Sequence, residues 1–355
     1  VSKRTRKLER ESKPASESKD PVVHKRDLPA EPTPTHDWKR TIIGITGVLV
    51  VGVIVFVLYS RSQTPPLLEE TFTSGSAQYC ATRSKFIQSL GFTGITAFDT
   101  RSRYVKGAAL REVDANGSIL DTHQDPTWDD AGYLGALQND ENGNVYLIPV
   151  PFISVLENPP EKANTIWRID TDTGLMQPFI DLPPAVPITA QSLFGLLDLA
   201  YDCDTKMIYA SSVLGSTQTQ MAGRIYQIDP ATRSVKAILE GIDGFGLGIF
   251  NDMRGKRLYI GLARSPEIYS VGLSNNGDMG NDLRYEMSIT DVSEAYVDDR
   301  ARSIVFQSQT QMVIKTLKFN YNLVAPSETR QTILVYTYDS NADNWQYTSS
   351  QVTSE

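Results

Sequence analysis

Histidine and cysteine are nearly missing from this chain: three and two of them among 355 residues. Two histidines, His24 and His36, fall in a polar N-terminal stretch, and the third, His123, lies in Asp121-Thr122-His123-Gln124-Asp125, a setting that reads as a solvated loop. With no Cys-x-x-Cys-His, covalent haem is excluded. No Gly-x-Ser-x-Gly elbow, His-Glu-x-x-His pair or phosphate-binding glycine loop occurs, so the familiar serine-hydrolase, zinc-protease and nucleotide signatures are absent. No cofactor is implied by any motif, and nothing resembles a nucleic-acid module.

Long apolar runs are equally scarce, with one exception. Ile42 to Tyr59 carries no charge and is long enough to cross ~30 Å of hydrocarbon as a helix. Before it, positions 1–40 hold eleven Lys and Arg against seven Asp and Glu; just after it only Arg61 precedes Glu69 and Glu70. The positive-inside bias predicts a single-pass anchor with a cytoplasmic N-terminus and the remainder periplasmic or extracellular. The basic segment is longer than the n-region of a cleaved signal peptide, which favours an anchor. The expected organisation is a disordered basic tail at 1–40, a transmembrane helix at 41–60, a linker with a short helix at 61–91 and a folded domain at 92–355. The tail has too few apolar residues to fold alone. Whole-chain charge is −8, so the outer part is strongly acidic, which argues against nucleic-acid partners.

Cys80 and Cys203 are the only cysteines. In an oxidising compartment they could pair and tie the membrane-proximal segment to the domain, or remain two buried thiols; spacing alone does not decide. Tyr79, Phe86, Ile87 and Leu90 recur at helical spacing before Gly91 and predict a short amphipathic helix.

From Phe92 onward the pattern is short β-rich runs separated by Asp, Asn, Gly and Pro. A unit of strand, polar turn and strand repeats: Leu197 to Ala210, Leu247 to Ile260, Gly135 to Leu147 and Glu294 to Phe306. Third strands follow at Thr165-Ile166-Trp167-Arg168-Ile169, Arg224-Ile225-Tyr226-Gln227-Ile228, Glu267-Ile268-Tyr269-Ser270-Val271 and Met312-Val313-Ile314-Lys315. A period of ~45–60 residues is that of propeller blades, whose sheets bury both faces only by stacking. The fold class is all-β, a β-propeller behind one N-terminal transmembrane helix. Blades are expected near 92–127, 132–182, 194–239, 242–285 and 287–324. Thr332 to Tyr347 would begin a sixth, with five or seven as neighbouring counts.

The recurring form, with an Asp-rich turn, a Lys/Arg-Leu-Tyr strand and then Ile-Tyr-Gln/Ser-Ile/Val, resembles the six-bladed gluconolactonase and strictosidine-synthase-like group and NHL-repeat propellers over nearly all of Gly91 to Tyr347. That resemblance implies, for its hydrolytic members, a divalent metal in the central channel held by Asn and acidic side chains. Here Phe245, in Gly244-Phe245-Gly246-Leu247-Gly248, and Ser293, in Val292-Ser293-Glu294-Ala295-Tyr296, stand where two of those ligands would be. Neither suits a hard cation that wants several oxygen ligands, so no metal site is expected. Asp198 and Glu294, each expected near the start of an inner strand, are the channel carboxylates that could rebuild a site or simply satisfy strand-end amides. The clusters Asn139 to Asn144 and Ser274 to Asp278 read as hairpin turns rather than calcium loops.

One insertion, Pro149 to Pro160, lengthens its connection beyond a hairpin, and Pro151, Phe152 and Ile153 make it a candidate interaction loop. The expected function is that of a non-catalytic interaction or accessory subunit, tethered to a larger membrane complex such as an electron-transport or light-harvesting assembly. Its partners would be other subunits of that complex and the lipid bilayer through Ile42 to Tyr59. A lactonase or esterase using the central channel, and a periplasmic ligand sensor, are the alternatives.

Overall fold

The computed structural model describes residues 74–100, 106–150, 154–189, 193–322 and 330–354. The basic tail, the apolar run Ile42 to Tyr59 and the Pro151-Phe152-Ile153 loop lie outside the described residues. Among the described residues no helix is long and apolar enough to cross a membrane.

The chain forms an all-β propeller of five antiparallel sheets. After a two-residue strand β1 (Gly75–Ser76) and a single-turn helix α1 (Phe86–Ser89), the first sheet comprises β2 (Ile95–Asp99), β3 (Ala109–Val113) and β4 (Ile119–His123). The second is β5 (Leu134–Asn139), β6 (Val145–Pro149), β7 (Thr165–Ile169) and β8 (Met176–Asp181). The third is β9 (Leu196–Tyr201), β10 (Ile208–Ser212), β11 (Arg224–Asp229) and β12 (Ser234–Glu240). The fourth is β13 (Gly244–Asp252), β14 (Gly255–Leu262), β15 (Glu267–Leu273) and β16 (Met279–Ser288), and the fifth is β17 (Asp299–Phe306), β18 (Gln311–Lys318), β19 (Arg330–Asp339) and β20 (Asn344–Ser354).

Five sheets replace the expected six because of a slip of one strand in the last repeat. Glu294–Tyr296 is a 3-10 helix, and the Asp- and Arg-rich stretch that reads as a turn, Asp298 to Arg302, belongs mostly to β17. The true turn is Gln307 to Thr310, where the Gln307 amide bonds the Gln311 carbonyl. Met312 to Lys315 is therefore a second strand rather than a third. Residues 330–339 pair with β18, Val313 opposite Val335 and Ile314 opposite Leu334, and so complete this sheet instead of starting another. The expected helix is also shorter: Tyr79 lies before it, in a turn.

Cores form between neighbouring sheets, as the stacking of blades requires. Phe250 and Tyr259 of the fourth sheet meet Phe306, Ile314, Leu334 and Trp345 of the fifth in one buried cluster. Tyr146 and Phe179 of the second meet Leu199, Tyr201 and Ile208 of the third. Charge links reinforce the apolar ones. Lys256 of β14 reaches Asp202 at the end of the third sheet's inner strand at 2.8 Å, and Arg284 of β16 reaches Asp343 of the fifth sheet at 2.9 Å. Between the inner strands β13 and β17 the backbones approach so closely that a Cβ on Gly246 would sit 2.6 Å from the Ala301 carbonyl oxygen. Only glycine fits there.

Candidate functional site in the central channel

The inner strands of sheets two to five are each broken at the same height by one extra residue. In β5 the slip lies between Leu134 and Leu137; in β9 Leu197 is extra, because Leu196 faces Ser212 and Asp198 faces Ser211. In β13 Phe245 is extra between the Gly244–Leu262 and Gly246–Gly261 pairs, and in β17 Arg302 is extra between the Ala301–Thr316 and Ser303–Lys315 pairs. A bulge bends its strand and re-aims a side chain. Here the four bulges bring Gly135, Asp198, Phe245 and Arg302 to one level of the channel. The Arg302 guanidinium lies 5.2 Å from the centre of the Phe245 ring, and one of its nitrogens is 3.9 Å from where a Cβ on Gly135 would stand.

Asp198 follows its bulge directly. Its backbone amide donates to the Ser211 hydroxyl at 3.1 Å, and one carboxylate oxygen accepts from the Leu247 amide of the next sheet at 2.8 Å. The residue is 8% exposed. Burial pushes its carboxyl up from 3.8 to about 6, although the nearby Arg302 charge and the amides of Leu247 and Leu199 favour the ionised form. Arg302 is half-buried, and among the described residues no ion pair within salt-bridge distance involves it.

Aromatic side chains crowd the end of the channel nearest the bulges. Phe319 stacks at 4.9 Å on Phe245, which is 1% exposed, at 5.2 Å on Phe194 and at 5.0 Å on Tyr321. Tyr321 donates to Asp243 at 2.5 Å; Asp243 also accepts from Arg264 and from Ser216, and its burial and these partners make it a structural hub. Burial, with the Asp243 hydrogen bond behind it, raises the Tyr321 hydroxyl far above the ordinary phenol range, so it stays a donor.

The divalent cation implied by the sequence resemblance does not fit this arrangement. Phe245 is a buried ring with no oxygen to offer, a guanidinium lies over that ring, and a cation placed beside Asp198 would face Arg302. Among the described residues no three His, Cys, Asp or Glu side chains gather as a ligand set. Ser293 is not on an inner strand at all; it precedes the Glu294–Tyr296 helix and accepts from the Ala295 amide. Glu294 shares that placement, so the structure does not bring it to the start of an inner strand beside Asp198. The polar cluster at Asn139 to Asn144 is a turn whose Asp140 accepts from the Asn142 and Asn144 amides at 2.9 Å each and from the Asn144 side chain.

Cys80 and Cys203 are joined in a disulfide with Cα atoms 5.7 Å apart. A cavity of 490 Å³ is lined by Val155, Pro160, Glu161, Ile188, Thr189 and Leu193, and Leu156, which follows Val155 in the chain, is 86% exposed. Arg302 was not legible as a site residue, since Asp298-Asp299-Arg300-Ala301-Arg302 has the composition of a turn. The one available signal was the apolar alternation Ala301, Ile304 and Phe306 across it.

No protein-family model matches the sequence, and no curated protein does. Solved structures similar to this chain include the periplasmic gluconolactonase PpgL of Pseudomonas aeruginosa, at 13% identity over 72% of this chain and 68% of that one with a TM-score of 0.44. A candidate 6-phosphogluconolactonase of Bacteroides fragilis is 11% identical over 81% of this chain and 84% of its own, with a TM-score of 0.40. The N-terminal domain of Nup159 is 12% identical over 78% and 68%, with a TM-score of 0.35. Such scores do not choose an activity. The propeller assignment rests on the sheet topology.

Proposed function

We propose that the channel is the active centre of a hydrolase acting on a lactone or ester. The observation that carries this is geometric: the bulges of β9 and β17 bring the buried Asp198 carboxyl and the Arg302 guanidinium to one level of the channel, where burial raises the carboxyl to about 6. A group titrating near 6 can accept and return a proton at neutral pH. Asp198 would take a proton from water as the oxygen attacks the carbonyl carbon. The carbonyl π pair moves onto its oxygen, beside the Arg302 guanidinium, which stabilises the developing negative charge. Collapse of the intermediate breaks the bond to the leaving oxygen, which recovers the proton from Asp198.

The interaction-subunit expectation drew on the loss of metal ligands at Phe245 and Ser293. The meeting of a buried carboxyl and a guanidinium at one level of the channel supports the hydrolase reading over it. One observation still favours a docking role as a second reading: Val155 and Ile188, which line the 490 Å³ cavity, and Leu156 leave apolar surface exposed. The membrane anchor at Ile42 to Tyr59, with the propeller outside the cytoplasm, is part of the proposal; an oxidising compartment suits the Cys80–Cys203 disulfide.

A panel of sugar lactones, aliphatic lactones and aryl esters, followed by proton release with the full chain in mild detergent, tests the reading. Hydrolysis of at least one class, lost in both Asp198→Asn and Arg302→Gln, is expected. Equal turnover by the parent and both variants would refute it.

A further inference from the structure

Residues 74–86 form a strap that runs along the turn end of the channel and touches the sheets in reverse order. At its start, the Ser74 hydroxyl donates to the Gln309 carbonyl of the fifth sheet at 3.3 Å, and further along the Tyr79 hydroxyl reaches back to the Phe306 carbonyl of the same sheet. β1 adds to the channel-side edge of β13, with Gly75 opposite Asn251 and Ser76 opposite Phe250. The Cys203 amide of the third sheet donates to the Ala77 carbonyl at 2.8 Å. Thr82 then bonds the carbonyls of Asp140 and Glu141, and Ser84 that of Gly143, all in the second sheet. Finally Phe86 and Ile87 enter the core shared with Phe98 and Leu110 of the first sheet.

This strap also forms the floor of the Asp198 site. Along β13 the Leu247 amide donates to Asp198, and the next inward-facing amide, Ile249, donates to the Gln78 side chain at 3.0 Å. Two residues of strand rise are about 7 Å, so Gln78 sits one rung beneath the carboxylate. Apart from the disulfide, residues 74–82 are held by the short β1 pairing, the buried Ala77 methyl and single hydrogen bonds, each bond contributing about 1 kcal/mol; the strap enters a core in earnest only at Ser84 and Phe86. The covalent link is the strongest attachment of residues 74–82, and both of its cysteines are half-buried.

We propose that the strap is a redox-gated floor. While Cys80 and Cys203 are joined, the turn end of the channel is closed beneath Asp198. A dithiol reductant attacks one sulfur, the S–S bond breaks through a mixed disulfide, and the second reductant thiol releases it. The products are two protein thiols and the oxidised dithiol, a transfer of two electrons and two protons. The freed strap then swings away from β13 and the third sheet and opens a second entrance to Asp198 and Arg302. This gate concerns access alone, so its failure would leave the hydrolytic reading standing, and no readout below depends on turnover.

Hydrogen exchange on the full chain in mild detergent, before and after dithiothreitol, tests the gate, with alkylation verifying that both thiols are free. The amides of Ala77, Cys203 and Ile249 are expected to exchange at least tenfold faster after reduction, while β10 and β14 keep their protection. Labelling of Arg302 by phenylglyoxal should rise at least tenfold in parallel. A Cys80→Ser/Cys203→Ser double variant should show the open pattern without reductant. Unchanged strap amides with free thiols would overturn the proposal, as would strap release with no gain in Arg302 labelling. Loss of protection throughout the propeller would overturn it too, by making the disulfide a support of the whole fold.

Discussion

Replacing Asp198 with asparagine should abolish the proposed reaction and at the same time stabilise the propeller at neutral pH. The carboxyl moves from 3.8 to about 6 on folding because burial penalises its charge. The folded chain therefore binds this proton more tightly than the unfolded one. Stability is unaffected below the unfolded value, falls as pH rises from about 4 to about 6, and is flat above. At 1.36 kcal/mol per pH unit the loss reaches about 3 kcal/mol at pH 7. Asparagine keeps an oxygen for the Leu247 amide, 2.8 Å away in the parent, and carries no charge to bury. Thermal unfolding followed by tryptophan fluorescence should put Asp198→Asn several degrees above the parent at pH 7.5 and near it at pH 4. A variant less stable than the parent at pH 7.5, or with the same pH dependence between 4 and 7, would refute the reasoning that this carboxylate is held at a cost to the fold.

Further expectations follow from the same geometry. Arg302→Gln should fold normally by circular dichroism but lose ~10²–10³-fold in kcat, because the donor for the developing oxyanion is gone. Gly246→Val forces a side chain against the Ala301 carbonyl, 2.6 Å from its Cβ, and should cost at least ~1–3 kcal/mol in denaturant unfolding. Asp243→Ala leaves Arg264, Tyr321 and Ser216 without their shared acceptor and should destabilise by ~3–5 kcal/mol, with little change in kcat for the material that remains folded.

Much of the architecture was legible because a propeller repeats its physics. The units at Gly135 to Leu147, Leu197 to Ala210 and Leu247 to Ile260 are the first two strands of three consecutive sheets, and the alternation of apolar residues marks which face is buried. The last repeat misled because Asp299 and Arg300, charges that usually mark a turn, sit half-buried at the start of a strand, where Asp299 accepts from the Thr316 hydroxyl and Arg300 donates to the Ala263 carbonyl. One misplaced strand then produced a sixth blade. Asp198 could be singled out as a carboxylate beginning an inner strand, whereas Arg302 could not, since its place in the channel comes from a bulge. Bulges depend on how β17 pairs with β18, a non-local property. The strap was invisible for the same reason: its contacts join residue 74 to 309 and 78 to 249, and no local pattern encodes them.

The most direct test of the central claim is kcat/KM against pH for the best substrate of the lactone and ester panel. With Asp198 as the base, the profile should rise through a single limb near pH 6, and Asp198→Asn should remove that limb along with the activity. A flat profile between pH 5 and 8, or a limb near 6 that survives in Asp198→Asn, would contradict the assignment of this channel as the site of chemistry.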